Sequence, residues 1–214
     1  MQLDLLNVCA GSDGLVARNR VPRVRPHLEG VRRVRLDETS WIDHKPHWLS
    51  AHSTLFDHLH RTTKWHDEVR EMFDRWVRVP RRVAFLPSDG PGHPVLGEAR
   101  AVLQQHYSDQ LRCRVRFSGV GLGLYRDGRD SVAYHRDRGL RDRTESIIAL
   151  ISLGSPRAFH IRPLGGGSSK RFTAGWGDLL VMGGACQRDW EHAVPKCAYA
   201  EPRMSIQFRW SAER

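Results

Sequence analysis

The chain has few cysteines: among 214 residues only Cys9, Cys113, Cys186 and Cys197 occur, and no two are spaced as CxxC. Their scatter argues against a disulfide framework and is expected of free thiols in a reducing compartment. No apolar run approaches the length needed to span a bilayer. Residues 1–11 carry Asp4 and lack a basic n-region, so no secretory signal is expected and the protein is read as cytoplasmic. Internal repeats and low-complexity tracts are also missing. Acidic charge is outweighed: 34 Lys and Arg face 24 Asp and Glu, a net charge of +10. Most of the positive charge is arginine, whose planar fork suits phosphate. A basic balance of this kind attracts polyanions, nucleic acid first. The same balance arises in GC-biased genomes, so charge alone leaves the partner open.

The length fits one large domain or two small ones. Residues 12–35 carry Arg18, Arg20, Arg23, Arg25, Arg32, Arg33 and Arg35 with Pro22 and Pro26. They read as an extended arm ending in a strand near Val31–Leu36, either solvated or touching phosphates. Ser53 is placed to cap a short helix in which Leu55 and Leu59 share a face. Trp65, Val69, Met72, Phe73 and Trp76 follow a helical period. Pro80 and Pro87 bracket a strand-like stretch, Arg82–Leu86, and Ser88–Pro94 is a loop. Pro94 suits the first turn of a helix with Leu96, Ala99, Val102, Leu103 and His106 on one face.

After residue 111 short runs of Val, Ile, Phe and Leu alternate with turn signals, which predicts antiparallel β structure. The candidate strands are 113–125, 131–135, 147–152, 157–162, 170–174, 178–182, 190–193 and 203–210, with a hairpin turn at Asp127-Gly128. Strands this short and this numerous predict a double-sheet jelly roll. Gly119-Val-Gly-Leu-Gly123 lies in strand-like sequence and opens no helix, so it is not a dinucleotide loop. Gly165–Gly167 also precedes a strand and reads as a hairpin loop.

His135 and Asp137, two apart in Tyr134-His-Arg-Asp137, point the same way on a strand or at its end. His192 follows 57 residues after His135, at the start of another strand. Two histidines and one carboxylate describe the facial triad of non-haem Fe(II) oxygenases. Taken alone, an HxD pair is common by chance in a chain with 12 His. Arg203 and Arg209 sharpen the pattern. Six apart on one strand, they face one way, while Met204, Ile206 and Phe208 face the core. Cations turned into a cavity need an anion, and a dicarboxylate that also chelates iron supplies one.

The segments Leu124–Asp137, Ile148–Arg157, Gly177–Gly184, Gln187–Lys196 and Glu201–Arg209, in this order and spacing, resemble the AlkB-like Fe(II)/2-oxoglutarate dioxygenases, which remove alkyl lesions from nucleic-acid bases. The resemblance covers roughly Arg33 to Trp210. It implies a mainly β fold: a jelly-roll (double-stranded β-helix) core over 113–214, behind a basic arm (1–35) and an extension (36–112) carrying N-terminal helices and a nucleotide-recognition lid, all one compact catalytic unit. It implies that His135, Asp137 and His192 hold the catalytic Fe(II). It implies that Arg203 and Arg209, assisted by Tyr125, hold 2-oxoglutarate. O2 is the third reactant, and succinate, CO2 and an aldehyde are the products. The implied substrate is DNA, with RNA a second candidate, carrying alkylated bases; a base within a duplex is flipped out first. The protein is expected to act as a monomer, away from membranes.

Trp65 to Leu86, with Val79-Pro-Arg-Arg-Val-Ala-Phe85, matches the family's lid, which is largely a β-hairpin. That reading is preferred over 77–86, against a helix, and 65–76 stays open. Arg81 (phosphate) and Phe85 (base stacking, or core packing) are the implied substrate contacts. Three positions depart from the family. Gly123 replaces an Asn, Gly139 replaces an acid that reads the base, and Leu86 replaces an aromatic of the lid. Glu145 and Asp142 are candidates for the missing acid. Two other functions compete: a 2-oxoglutarate oxygenase for a protein or small molecule, which fold alone does not exclude, and a nucleic-acid-binding module with a vestigial site.

Overall fold

The structure is a computed structural model that describes residues 21–72, 75–87 and 92–211. Cys9, Arg18, Arg20, Phe73 and most of the 88–94 loop lie outside the described residues. In chain order the elements are β1 (Arg23–Val24), β2 (Arg32–Arg35), β3 (Ser40–Lys45), β4 (Leu49–Ser50), α1 (His52–Thr62), β5 (His66–Met72), β6 (Arg75–Pro87) and α2 (Pro94–Leu111). Then come β7 (Gly119–Tyr125), β8 (Val132–His135), β9 (Ser146–Gly154), β10 (Arg157–Pro163), β11 (Lys170–Ala174), β12 (Asp178–Gly184), α3 (Cys186–Asp189), β13 (Trp190–Val194) and β14 (Arg203–Ser211).

Two antiparallel sheets face each other, as in the jelly roll the strand count predicted. The larger has the order β2-β3-β12-β9-β14-β7-β6-β5 and the smaller β11-β10-β13-β8. The central strands β9 and β12 of the large sheet alternate between two cores. Ile147, Ala149, Ile151, Met204, Ile206 and Phe208 join α1 and α2 on the outer face. Ile148, Leu150, Leu180 and Met182 meet Phe159, Ile161 and Phe172 of the small sheet. The opposed faces of Arg203/Arg209 and Met204/Ile206/Phe208 follow from this alternation.

The helical period of residues 65–76 misleads. Residues 66–72 and 75–87 form a hairpin paired from His66↔Val83 to Met72↔Arg75. The apolar spacing there is no buried stripe: Val69 and Trp76 are 50% and 74% exposed. Strand 113–125 is also shorter than expected. Its first part is irregular because the Val115 and Phe117 amides donate to Ser108 Oγ and Gln104 Oε1 of α2, and so are not free to bond a strand. The N-cap of α1 is Ala51, with no side-chain cap bond, and not Ser53, which lies inside the helix. In α2 the buried stripe ends on Tyr107, not His106. β3 had no counterpart in the sequence reading, yet it lies inside the large sheet beside β12.

β3 carries a fully buried carboxylate, Asp43. Arg33 grips it with two bonds of 2.7 Å, and the Tyr107 hydroxyl donates to it at 3.0 Å. Arg33 also lies 3.7 Å above the Trp41 ring. This network fastens α2 to the sheet edge. Tyr107→Phe removes one bond to a buried charge, so urea unfolding should show a loss of about 1.5–3 kcal/mol. An unchanged midpoint would show that Arg33 alone satisfies Asp43.

Candidate metal centre

β8 and β13 are neighbours in the small sheet, with His135 directly opposite His192. Their ring centroids lie 4.3 Å apart. Asp137 stands just past the end of β8, where the chain leaves the sheet. Its Oδ1 is 3.5 Å from His135 Nε2 and 3.7 Å from His192 Nε2. Among the described residues these three form the group of His, Cys, Asp or Glu with ligand atoms all within 4.8 Å of one another.

The protonation states suit a cation. His135 Nδ1 lies 2.9 Å from the Ala133 carbonyl and donates to it, which leaves the Nε2 lone pair facing the cluster. Burial, then the neighbouring His135, push the His192 pKa down to about 3, so its imidazole is neutral at ordinary pH. Phe159 stacks on that ring with centroids 5.5 Å apart and fixes its plane. Burial opposes ionisation of Asp137, but the Arg209 guanidinium outweighs it and holds the carboxyl well below its usual range. Arg209 Nε donates to Asp137 Oδ2 at 2.5 Å.

Deeper in the cavity Arg203 is 2% exposed. Its Nε donates to Ser152 Oγ at 2.8 Å, whereas Nη1 is buried and has no partner among the described residues. The Arg203 guanidinium also lies 5.1 Å from the centre of the Tyr125 ring. A buried cation with an open donor calls for an anion. The two-His-one-carboxylate set and this open guanidinium together fit an iron ion and a chelating dicarboxylate.

The family model of the 2OG-Fe(II) oxygenase superfamily matches residues 97–209, from α2 to the second arginine. The chain belongs to the 2OG-Fe(II) oxygenase superfamily, enzymes that use Fe(II), 2-oxoglutarate and O2. Within it the chain is AlkB-like. It is 30% identical to the human alpha-ketoglutarate-dependent dioxygenase alkB homolog 3 over 159 residues, which cover 70% of this chain and 51% of that protein. It is 28% identical to the DNA oxidative demethylase ALKBH2 of Arabidopsis thaliana over 193 residues, 73% of this chain and 61% of that protein. The chain thus spans between half and two thirds of these relatives. Two solved structures share the fold. A prolyl hydroxylase from Trichoplax adhaerens, in complex with a hypoxia inducible factor peptide, has a TM-score of 0.61 at 13% identity, over 79% of this chain and 83% of its own. OsALKBH1 has 0.55 at 12% identity, over 83% and 99%.

The other predicted residues fall as follows. Tyr125 and Arg209 line the same cavity as the three metal-ligand candidates and Arg203. Arg81 does not face solvent as a phosphate contact would. It is 8% exposed, pairs with Glu68 at 2.9 Å and donates to the Tyr125 hydroxyl at 3.2 Å, inside the cavity. Phe85 is 66% exposed, so it is not core packing. Its ring lies over Gly119, on the face of the sheet that bears the site. Gly121 sits beside it under Arg209, whose Nη1 is 2.7 Å from where a Cβ would stand. At Gly139 a Cβ would have no other atom within 4 Å, and φ is +79°, so nothing fills the place of the family's acid. Glu145 is half-buried and its pKa is raised by that burial.

Sequence reasoning missed Ser205 and Gln207, which the two-residue period places between the arginines, and it missed Gln187. Gln187 is fully buried, and its Oε1 accepts the Asp137 amide at 2.7 Å across 50 residues of chain. Only the fold brings them together. Gln187→Met keeps the shape and removes the acceptor, leaving that amide unsatisfied at a cost of about 1–3 kcal/mol. Because the amide belongs to Asp137, affinity for Mn(II) by calorimetry should drop on the order of tenfold. A fall in melting temperature with unaltered Mn(II) affinity would reduce Gln187 to a packing residue.

Proposed function

We propose that this protein is an Fe(II)/2-oxoglutarate-dependent dioxygenase that oxidatively removes alkyl groups from damaged bases in DNA, with RNA a second substrate, giving succinate, CO2 and an aldehyde. The observation that carries the co-substrate is the open, buried Arg203 guanidinium beside a two-histidine, one-carboxylate cluster. The nucleic-acid substrate is supported by the curated relative named as a DNA oxidative demethylase and by the net charge of +10.

In this reading His135, Asp137 and His192 hold the iron, which when bound activates O2 as 2-oxoglutarate is decarboxylated. Arg203, beside Tyr125, takes a carboxylate of 2-oxoglutarate. Arg209 keeps Asp137 ionised and places positive charge beside the metal. Gly119 and Gly121 make room for the Phe85 ring and the Arg209 guanidinium to lie against the sheet. Phe85 offers its exposed face for stacking. For an N-methyl lesion the balance is base–CH3 plus O2 plus 2-oxoglutarate to base–H plus formaldehyde, succinate and CO2. The protein is taken to work as a cytoplasmic monomer.

The test is succinate release with Fe(II) loaded, driven by oligonucleotides carrying 1-methyladenine or 3-methylcytosine. Stimulation by either is expected, and none by any lesion would count against the reading. The open space at Gly139 favours the second reading, an oxygenase for a protein or small molecule. Failure to shift single-stranded DNA at low salt would favour that alternative.

A further inference from the structure

We infer that the loop after the metal-ligand candidate Asp137 is a phosphodiester clamp, with Arg138 and Arg141 gripping the nucleic-acid backbone beside the reacting base. This deepens the nucleic-acid reading above and rests on it. Residues 136–143 run Arg-Asp-Arg-Gly-Leu-Arg-Asp-Arg, four arginines with two carboxylates, one of them Asp137 itself.

The loop is built rather than loose. The Leu140 amide donates to the Asp137 carbonyl at 3.2 Å and the Arg143 amide to the Leu140 carbonyl at 3.1 Å, two turns in succession. Leu140 plugs the core between the sheets at 8% exposure. Arg136 pins the base of the loop by donating to the Arg188 carbonyl at 3.1 Å. Gly139, at φ +79°, supplies the left-handed bend that turns Arg138 and Arg141 outward on either side of Leu140. Both side chains are exposed, and neither makes an ion pair with a described residue.

Several arginines of neighbouring elements are already paired. Arg81 holds Glu68, Arg162 holds Glu191 and Arg188 holds Asp189. Arg157 donates to the carbonyls of Asp127, Asp130 and Pro195. With Arg81 turned inward, backbone contacts must come from elsewhere on the rim. Arg138 adjoins Asp137, so a phosphate held there lies next to a base that enters the site. Two uncommitted forks on a fixed loop suit a repeating anion better than a single small one. Where the family places a base-reading acid, this chain has an open glycine between phosphate-type donors. Affinity is thereby shifted from base identity toward the backbone.

The experiment uses the full chain with Mn(II) and 2-oxoglutarate under anaerobic conditions. Fluorescence anisotropy follows a labelled single-stranded oligonucleotide carrying 3-methylcytosine between 50 and 200 mM salt. The double variant Arg138→Gln/Arg141→Gln is compared with Arg32→Gln/Arg35→Gln, an equal charge change on β2 at an outer edge of the large sheet. Each lost phosphate contact lowers the slope of log K against log salt by ~0.7 for a single strand. The loop variant should therefore lose about 1.4 of slope, with binding on the order of tenfold weaker at 100 mM. The β2 variant should bind within twofold of wild type. Equal losses in both variants would make the effect one of net charge and overturn the inference, as would an unchanged slope in the loop variant. Absence of any salt-dependent binding by the wild type would overturn the nucleic-acid reading itself.

Discussion

Arg203→Leu is expected to abolish 2-oxoglutarate binding while making the ligand-free protein more stable. The two effects have one cause. Arg203 is fully enclosed, burial pushes its pKa down, and its Nη1 has no partner among the described residues. An enclosed, incompletely paired charge is retained at a cost, and apolar replacements of buried ionic groups often gain about 1–4 kcal/mol. Ser152 Oγ, which accepts from Arg203, still has the Ala174 carbonyl at 3.3 Å. With 2-oxoglutarate present the sign reverses: the guanidinium that receives a carboxylate is gone. Loss of such a pair is worth about 3–5 kcal/mol, a fall in affinity of roughly 100- to 4000-fold. Thermal unfolding with Mn(II), with and without 2-oxoglutarate, reads both. Wild type should shift upward with 2-oxoglutarate, and the variant should start higher and not shift. A variant that starts lower and still responds to 2-oxoglutarate would remove Arg203 from the co-substrate site. Arg203→Lys keeps the charge without the fork and should retain only part of the shift.

Asp137→Ala should lose at least about 1000-fold in Mn(II) affinity, because it removes the sole carboxylate from the set and leaves two imidazoles. In the metal-free protein the same variant tests the electrostatics. The Asp137 carboxyl is held well below its ordinary value of 3.8, chiefly by Arg209. A depressed carboxyl contributes stability that is fully present above the unfolded-state pKa and is lost as pH falls through the folded-state value. With metal chelated, wild type should exceed the variant in stability at pH 6 to 7, and the gap should narrow below about pH 4. A gap that stays constant into acid would mean that Asp137 contributes through packing and not through charge. His192 adds a slope of the same sign. Its folded-state pKa of about 3 lies below the unfolded 6.5, so metal-free protein should lose stability as pH falls below 6.5.

Several features were legible along the chain because they depend on neighbours. The pairing of His135 with Asp137 and of Arg203 with Arg209 follows from a two-residue period. The strands β9 and β12 were legible for a different reason: they bury both faces and read as short runs rich in Ile, Leu and Val. The helix beginning at Pro94 was legible from proline at the first helical position. Residues 65–76 failed the same logic. Their apolar side chains fit a helical period, yet on the hairpin Val69 and Trp76 stand in solvent.

By itself, then, the sequence determined the ligand types, their local spacing and the mainly β character, because side-chain period and turn chemistry act over a few residues. The tertiary structure decided which distant groups meet. It set His192 opposite His135 through strand register and brought Gln187 to the Asp137 amide. It turned Arg81 inward onto Glu68 and Tyr125, and it left Arg138 and Arg141 exposed on the loop after Asp137. Those outcomes depend on sheet order and burial. A buried guanidinium must find a partner and an exposed one need not, and the amino-acid letters do not say which arginine will be which.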